Sequence, residues 1–131
     1  MAVYLLDTCV IIDVLNNKRG RTALLLDLVR AGHTLACCPI NIAEVYAGLR
    51  HKEEAATEEL LSSLRHFPIP PEAARLAGGF KREYARKGAS LNLGDVIIAA
   101  VAVYHGLTLL TDNLKDFPME RLSLYPMAAG D

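Results

Sequence analysis

The sequence predicts an α/β fold: three layers, α/β/α, around a central and mostly parallel sheet of four to five strands. Three observations carry this expectation. Ala2 to Leu6, Thr34 to Cys38 and Leu107 to Leu110 are short, almost unbroken apolar runs, the pattern of strands buried on both faces. Segments of helical periodicity separate these runs, so the strands pair in parallel through right-handed crossovers, with helices on both faces. Leu93 to Tyr104 is apolar almost all round; a helix without a polar face is central in its fold.

The strand Ala2 to Leu6 ends at Asp7, and Thr8 to Leu15 follows as a short helix with Asp7 or Thr8 as its N-cap. Asn16-Asn17-Lys18 breaks the pattern. Arg21 to Ala31 repeats it through Leu24, Leu25, Leu28 and Val29, and Gly32 closes that helix. The second strand, Thr34 to Cys38, is stopped by Pro39. A helix over Asn41 to Arg50 sets Ile42, Val45 and Leu49 on one side and Asn41, Glu44 and Gly48 on another. Lys52 to Leu64 is expected as one helix, with Glu53, Glu54, Glu58 and Glu59 outward and Leu60, Leu61 and Leu64 inward.

Phe67 to Pro70 is a strand stub, too rich in proline to be long. Pro71 suits the first turn of the next helix, Glu72 to about Lys87. Gly78-Gly79 in its middle predicts a kink or a close backbone approach. Gly88 to Asn92 is a loop, and Gly106 ends the apolar helix. Leu107 to Leu110 runs into Thr111-Asp112-Asn113, and Leu122 to Tyr125 is a last short strand. No repeat and no linker interrupts the chain, so residues 1–131 are expected as a single domain.

Composition narrows the class. Apolar residues make up 52% of the chain, aromatics only 6%, and there is no Trp, so the core is aliphatic. No apolar stretch approaches the roughly 20 residues of a membrane span. No basic segment precedes the first strand, so no signal peptide is expected and the protein is placed in the cytoplasm. Cys9, Cys37 and Cys38 have neither a disulfide pattern nor zinc spacing and are read as small buried hydrophobes. His33, His51, His66 and His105 show no ligand spacing and are read as surface or capping residues. No glycine-rich nucleotide loop is present.

Carboxylates are the chemistry-bearing pattern. Asp7 ends the first strand, Glu44 lies in the helix after the second, Asp95 opens the apolar helix and Asp112 follows the strand Leu107 to Leu110. They are 37, 51 and 17 residues apart, yet parallel α/β topology gathers strand ends and following helix starts at one edge of the sheet. Each has a local explanation: a cap for Asp7, an Asn-x-x-Asp box from Asn92 for Asp95, a helix surface for Glu44, a turn for Asp112. Together they repel, and a cation or raised pKa values must accommodate them. Oxygen donors alone favour Mg²⁺, with Mn²⁺ as a substitute. Such a centre suits phosphodiester hydrolysis. Net charge is −1, but basic residues gather at Arg75, Lys81, Arg82, Arg86 and Lys87. These, with Lys18, Arg19 and Arg21, offer contacts for a nucleic-acid backbone.

The ordered motifs resemble one family. Tyr4-Leu5-Leu6-Asp7-Thr8 comes first, then Ile42-Ala43-Glu44-Val45-Tyr46-Ala47-Gly48-Leu49. Leu93-Gly94-Asp95-Val96-Ile97-Ile98-Ala99-Ala100 and Leu110-Thr111-Asp112-Asn113 through Asp116-Phe117 complete the set. The whole chain is similar to the PIN-domain ribonucleases, and within them to the small toxins of VapBC toxin–antitoxin systems. That resemblance implies a Mg²⁺-dependent single-strand endoribonuclease, a homodimer, neutralised by a VapB-type antitoxin in a hetero-oligomer. Asp7 and Asp95 match the family's metal ligands and Glu44 its helix acid. Thr8 and Thr111 match its hydroxyl residues. The fourth site residue is open among Asp112, Asn113 and Asp116, because the family often places Asp or Asn two residues after the threonine, where this chain has Asn113.

The resulting expectation is RNA cleavage with Asp7, Glu44, Asp95 and Asp112 as catalytic residues, Asp7 and Asp95 holding metal. Thr8, Thr111, Asn113 and Asp116 support them, and Lys81, Arg82, Arg86 and Lys87 hold the RNA backbone. The rivals are a housekeeping PIN nuclease without an antitoxin and, from another class, a non-catalytic receiver module. A receiver needs an aspartate after its third strand, and Phe67 to Pro70 has none.

Overall fold

Five short strands, all parallel, make one sheet in the order β3-β2-β1-β4-β5. The structure, a computed structural model, describes residues 1–126. In chain order the elements are β1 (Val3–Leu6), α1 (Thr8–Leu15), α2 (Arg21–Arg30), β2 (Thr34–Cys37), α3 (Pro39–Ala47) and α4 (Glu54–Ser63). There follow β3 (Arg65–His66), α5 (Pro71–Arg86), α6 (Leu93–His105), β4 (Thr108–Leu110) and β5 (Ser123–Leu124). Single 3₁₀ turns lie at His51–Glu53 and Leu114–Asp116.

Side-chain alternation builds the two outer layers. Leu5, Ala36 and Leu109 point into one apolar cluster with Ile98, Val101 and Phe117 from α6 and the chain's end. Leu6, Cys37 and Leu110 point into the other, with Val10, Ile11, Leu25, Val45 and Leu61 from α1 to α4. Leu5, Leu6, Leu109 and Leu110 are fully buried, each worth about 1.5–3 kcal/mol of transfer free energy. Tyr4 pairs with both Leu35 and Thr108, so β1, β2 and β4 end level. That shared register brings the residues after each strand to one edge.

The apolar helix α6 is central, as its pattern predicts. Val96, Ile98, Ala99, Ala100, Val101 and Ala102 are all buried, and Gly106 ends the helix at φ +69°, where a Cβ would be strained.

Three expectations are corrected. The edge strand is Arg65–His66, before Phe67 to Pro70: Phe67 N–H donates to Cys37 O at 2.9 Å, and beyond it Pro68 and Pro70 have no N–H to extend a ladder. The segment Lys52 to Leu64 is not one α-helix: it opens as a 3₁₀ turn, because the Glu53 carboxylate folds back to Arg50 N–H at 3.0 Å and Arg50 Nη2 at 2.9 Å. Gly78-Gly79 gives neither a kink nor a close approach. Helix α5 runs through both, and nothing lies within 4 Å of where a Cβ would stand.

Candidate active site

The site is built from its hydrogen bonds outward. Asp7 leaves β1 with extended backbone (ψ 151°) and caps α1 by accepting from Thr8 N–H at 2.8 Å through Oδ1. Its Oδ2 accepts from the Thr111 hydroxyl at 2.6 Å and the Cys9 thiol at 3.2 Å. Asp7 N–H donates to Leu110 O at 3.0 Å, which ties the ends of β1 and β4 together. Asp7 is 3% exposed, so these partners replace lost water.

Glu44 comes from α3. The Thr8 hydroxyl donates to its Oε1 at 2.6 Å. Its Oε2 lies 2.5 Å from where a Cβ on Gly94 would be. Only glycine at 94 leaves room for this carboxylate beside the first turn of α6.

Asp95 sits in that turn. Asn92 caps α6 alone, accepting from Gly94 N–H at 2.8 Å. Asp95 instead belongs to the acids. Its carboxyl is pushed up to about 6, first by burial and then by Asp7, Asp116 and Glu44. Every charge bearing on it is negative.

Asp112 is placed otherwise. Arg21 grips it through Nε to Oδ2 at 3.3 Å and Nη2 to Oδ1. Arg19 Nη1 adds a contact at 3.4 Å. Asp112 faces guanidinium, whereas the charge of Asp116, four residues on, bears on Asp95. Asn113 is exposed and uses its N–H to hold the Thr111 hydroxyl at 3.0 Å. Arg21 is 2% exposed, so the expectation that it holds a nucleic-acid backbone is corrected: its donors are spent inside the fold.

Arg19 is a local anomaly. It holds φ +58°, a left-handed backbone costing a residue with a Cβ about 1–2 kcal/mol. Its ion pair, with the guanidinium 44% exposed, is of a kind worth about 0–1 kcal/mol.

The basic end of α5 is tied to the acids' neighbours. Lys81 Nζ donates to Leu91 O, and Tyr84 Oη to Pro118 O at 3.1 Å. Lys87 pairs with Glu83 at 3.4 Å and lies over the Tyr84 ring. Arg82, Arg86 and Arg121 line a cleft of about 300 Å³ with Leu76, Phe80 and Glu83.

Two residues escaped the sequence reading. Asn41, fully buried, accepts from Cys38 N–H at 2.8 Å and donates to Leu6 O at 3.2 Å and Thr8 Oγ1 at 3.0 Å. It therefore joins the ends of β1 and β2 and turns the Thr8 proton toward Glu44. Its position one turn before Glu44 on the same helical face was the available signal. Cys9 is the second, and corrects the view that all three cysteines merely pack. It is half-buried, and burial and then the Asp7 carboxylate push its thiol up to about 12. It stays protonated and donates. His66 is exposed and caps the last turn of α4 through Leu61 O, whereas His33 and His105 are half-buried and reach other segments, at Ala2 N–H and Pro68 O.

Among the described residues no three His, Cys, Asp or Glu side chains already close around one point. The donor chemistry nonetheless fits a hard divalent cation: Asp7, Glu44, Asp95 and Asp116 offer only oxygen, and the charge around Asp95 is uncompensated.

A family model described as PIN domain matches residues 4–118. The chain is 31% identical over 115 residues to Ribonuclease VapC19 of Mycobacterium tuberculosis, covering 88% of this chain and 92% of that protein. It is 31% identical over 122 residues to Ribonuclease VapC2 of Haemophilus influenzae, covering 89% and 91%. Its structure is similar to DNA-bound VapBC from Salmonella typhimurium, with TM-score 0.82, 25% identity and coverage of 95% and 98%. It is also similar to a toxin–antitoxin complex from Klebsiella pneumoniae, with TM-score 0.74, 28% identity and coverage of 96% and 97%.

Proposed function

The chain belongs to the PIN-domain family, and from that premise we propose that it is the ribonuclease toxin of a VapBC-type pair, cutting single-stranded RNA at the carboxyl edge of its sheet. Its partner is a VapB-type antitoxin, the kind of complex in which its structural neighbours stand. The proposal includes one PIN domain over residues 1–131, a homodimer, and action in the cytoplasm. No helix of the described residues is long and apolar enough to cross a membrane.

The observation that carries the reading is the acid cluster around Asp95, where burial, Asp7, Asp116 and Glu44 all raise one carboxyl and no cation of the described residues answers them. In this proposal Asp7 and Asp95 hold a divalent metal, with Asp116 as the fourth acid and Asn113 beside it. Mg²⁺ is the first choice and Mn²⁺ a substitute. Bound there, the metal would polarise a phosphodiester and favour in-line attack by water.

The side chains divide the remaining work. Asp7 is held rigid because the Thr111 hydroxyl and Cys9 thiol donate to its Oδ2 and the Thr8 N–H to its Oδ1, which keeps a lone pair for a metal; preorganisation of this kind spares reorganisation during reaction. Glu44 orients the attacking water. Thr8 fixes its Oε1 and leaves Oε2, against Gly94, to accept the water's proton. Lys81, Arg82, Arg86 and Lys87 remain the proposed backbone contacts, with Arg82 and Arg86 the least engaged. Asp112 is the weakest of the proposed catalytic acids, because Arg21 already spends its charge.

Asp7→Asn should abolish cleavage of a single-stranded RNA, read on a denaturing gel, while far-UV dichroism is unchanged. A variant that cuts as fast as its parent would end the assignment. Co-expression with a cognate VapB-type antitoxin should restore growth and co-purify a small partner. A chain harmless on its own points to a housekeeping nuclease.

A further inference from the structure

Asp112 is contacted by two guanidinium groups and needs one. Arg21 already grips both carboxylate oxygens from a side chain only 2% exposed. Arg19 adds one contact of 3.4 Å to an oxygen that Arg21 also holds, from a side chain 44% exposed. Its guanidinium has no other hydrogen-bond partner among the described residues. The Arg19–Arg21–Asp112 group thus carries one surplus positive charge. It lies at the turn that supplies Thr111 to Asp7, beside acids whose summed field repels any phosphate.

The backbone points the same way. The loop after α1 is closed by Lys18 N–H to Asp13 O at 2.8 Å, Arg21 N–H to Lys18 O at 3.2 Å and Arg21 Nη1 to Arg19 O at 3.2 Å. Within it Arg19 is held at φ +58°, next to Gly20 at φ +66°. Glycine or asparagine would adopt that conformation with less strain. One long, exposed ion pair is among the weakest contacts a protein makes, so it does not account for an arginine there. Strain retained at the rim of an active site is the kind of outlier from which a role is read.

We propose that Arg19 is a substrate-binding residue: it exchanges its contact with Asp112 for a backbone phosphate of the single-stranded RNA entering the site. This rests on the ribonuclease reading above. A guanidinium matches a phosphate through paired N–H groups. The exchange leaves no orphan, because Arg21 stays on Asp112. A surplus cation at the rim also offsets the repulsion between the acid cluster and the incoming strand.

The test measures binding of a short fluorescein-labelled single-stranded RNA by anisotropy, in an Asp7→Asn background that does not cut it. Arg19→Gln should weaken binding about tenfold at low salt and make the slope of log affinity against log salt shallower by about 0.7, one phosphate contact on a single strand. Arg19→Gly should lose as much affinity while melting at or above the parent's temperature, which separates lost contact from lost fold. In the cleaving protein the loss should fall on KM, with kcat retained. Arg30→Gln, an exposed charge at the far end of α2, is the control and should leave affinity within twofold. Equal affinity and slope for Arg19→Gln and parent would overturn the inference alone, as would a loss no larger than that of Arg30→Gln. A parent that binds no RNA overturns the ribonuclease reading and this inference with it.

Discussion

The first turn of α6 and the turn after β4 each bring an aspartate to the carboxyl edge of the sheet, in opposite surroundings. Asp95 lies among Asp7, Glu44 and Asp116, and its carboxyl rises to about 6. Asp112 lies between Arg21 and Arg19, with its side chain 9% exposed. One turn gathers repulsion, which raises the affinity of Asp95 for a proton and would favour a bound cation. The other has its counter-charge inside the chain and serves as a strap, tying the start of α2 to the turn beside Thr111, which holds Asp7. The comparison teaches that an acid at the right edge is open to a ligand's role only if the chain has not supplied its counter-charge.

Substitutions at the two turns should therefore have opposite signs. The largest effect is expected at the strap. Asp112→Asn leaves the buried Arg21 without its charge partner, which costs about 3–5 kcal/mol, read from urea unfolding. Adding Arg21→Met should return most of that loss, because the uncompensated charge goes with it. A loss below about 1 kcal/mol for the single change would show that the pair is no strap.

Asp95→Asn should do the reverse. Cleavage should fall by about 100-fold or more, while the metal-free protein melts at a higher temperature than the parent, since the repelling charge is gone. A lower melting temperature would contradict the reading of a repulsive turn.

Asn41→Ala sharpens the contrast from the Glu44 side. It leaves Cys38 N–H, Leu6 O and Thr8 without their partner, a cost of about 1–3 kcal/mol. It should also lower kcat more than KM, because Glu44 loses the Thr8 proton that orients it. Unchanged kcat would make Asn41 a fold residue only.

The smallest expected effect is in pH dependence. The Asp95 carboxyl is raised in the folded chain above its ordinary 3.8 to about 6. Between those values the folded protein keeps a proton that the unfolded chain has lost. Stability of the metal-free protein should thus fall as pH rises from about 4 to 6, and level off above. Asp95→Asn should flatten that decline, and added Mg²⁺ should offset it above pH 6 by binding the folded state. A metal-free parent whose thermal midpoint rises through that window would contradict the assignment.

Much of this was legible in the sequence for a physical reason. Ala2 to Leu6 is uninterrupted because both faces of β1 are covered, so its pattern reports a parallel sheet directly. Leu93 to Tyr104 lacks a polar face because it is buried nearly all round. Asp7, Glu44 and Asp95 were legible because topology places strand ends and helix starts together. Less was legible where partners are distant. Arg21 and Asp112 are 91 residues apart, and no local pattern pairs them. Cys9 read as a small hydrophobe because its thiol's acceptor comes from the fold, and the short β3 shifted because a register bond at Phe67 overrode the apolar stub.

By itself the sequence determined the layers, the strand edge and three acids at that edge, because hydrophobic periodicity and chain order suffice for those. Only the tertiary structure set Asp112 and Asp116 in different surroundings, the first against guanidinium and the second against Asp95. Which of two neighbouring carboxylates is free depends on whether a guanidinium from the start of α2 reaches it, and that is a matter of packing across the sheet.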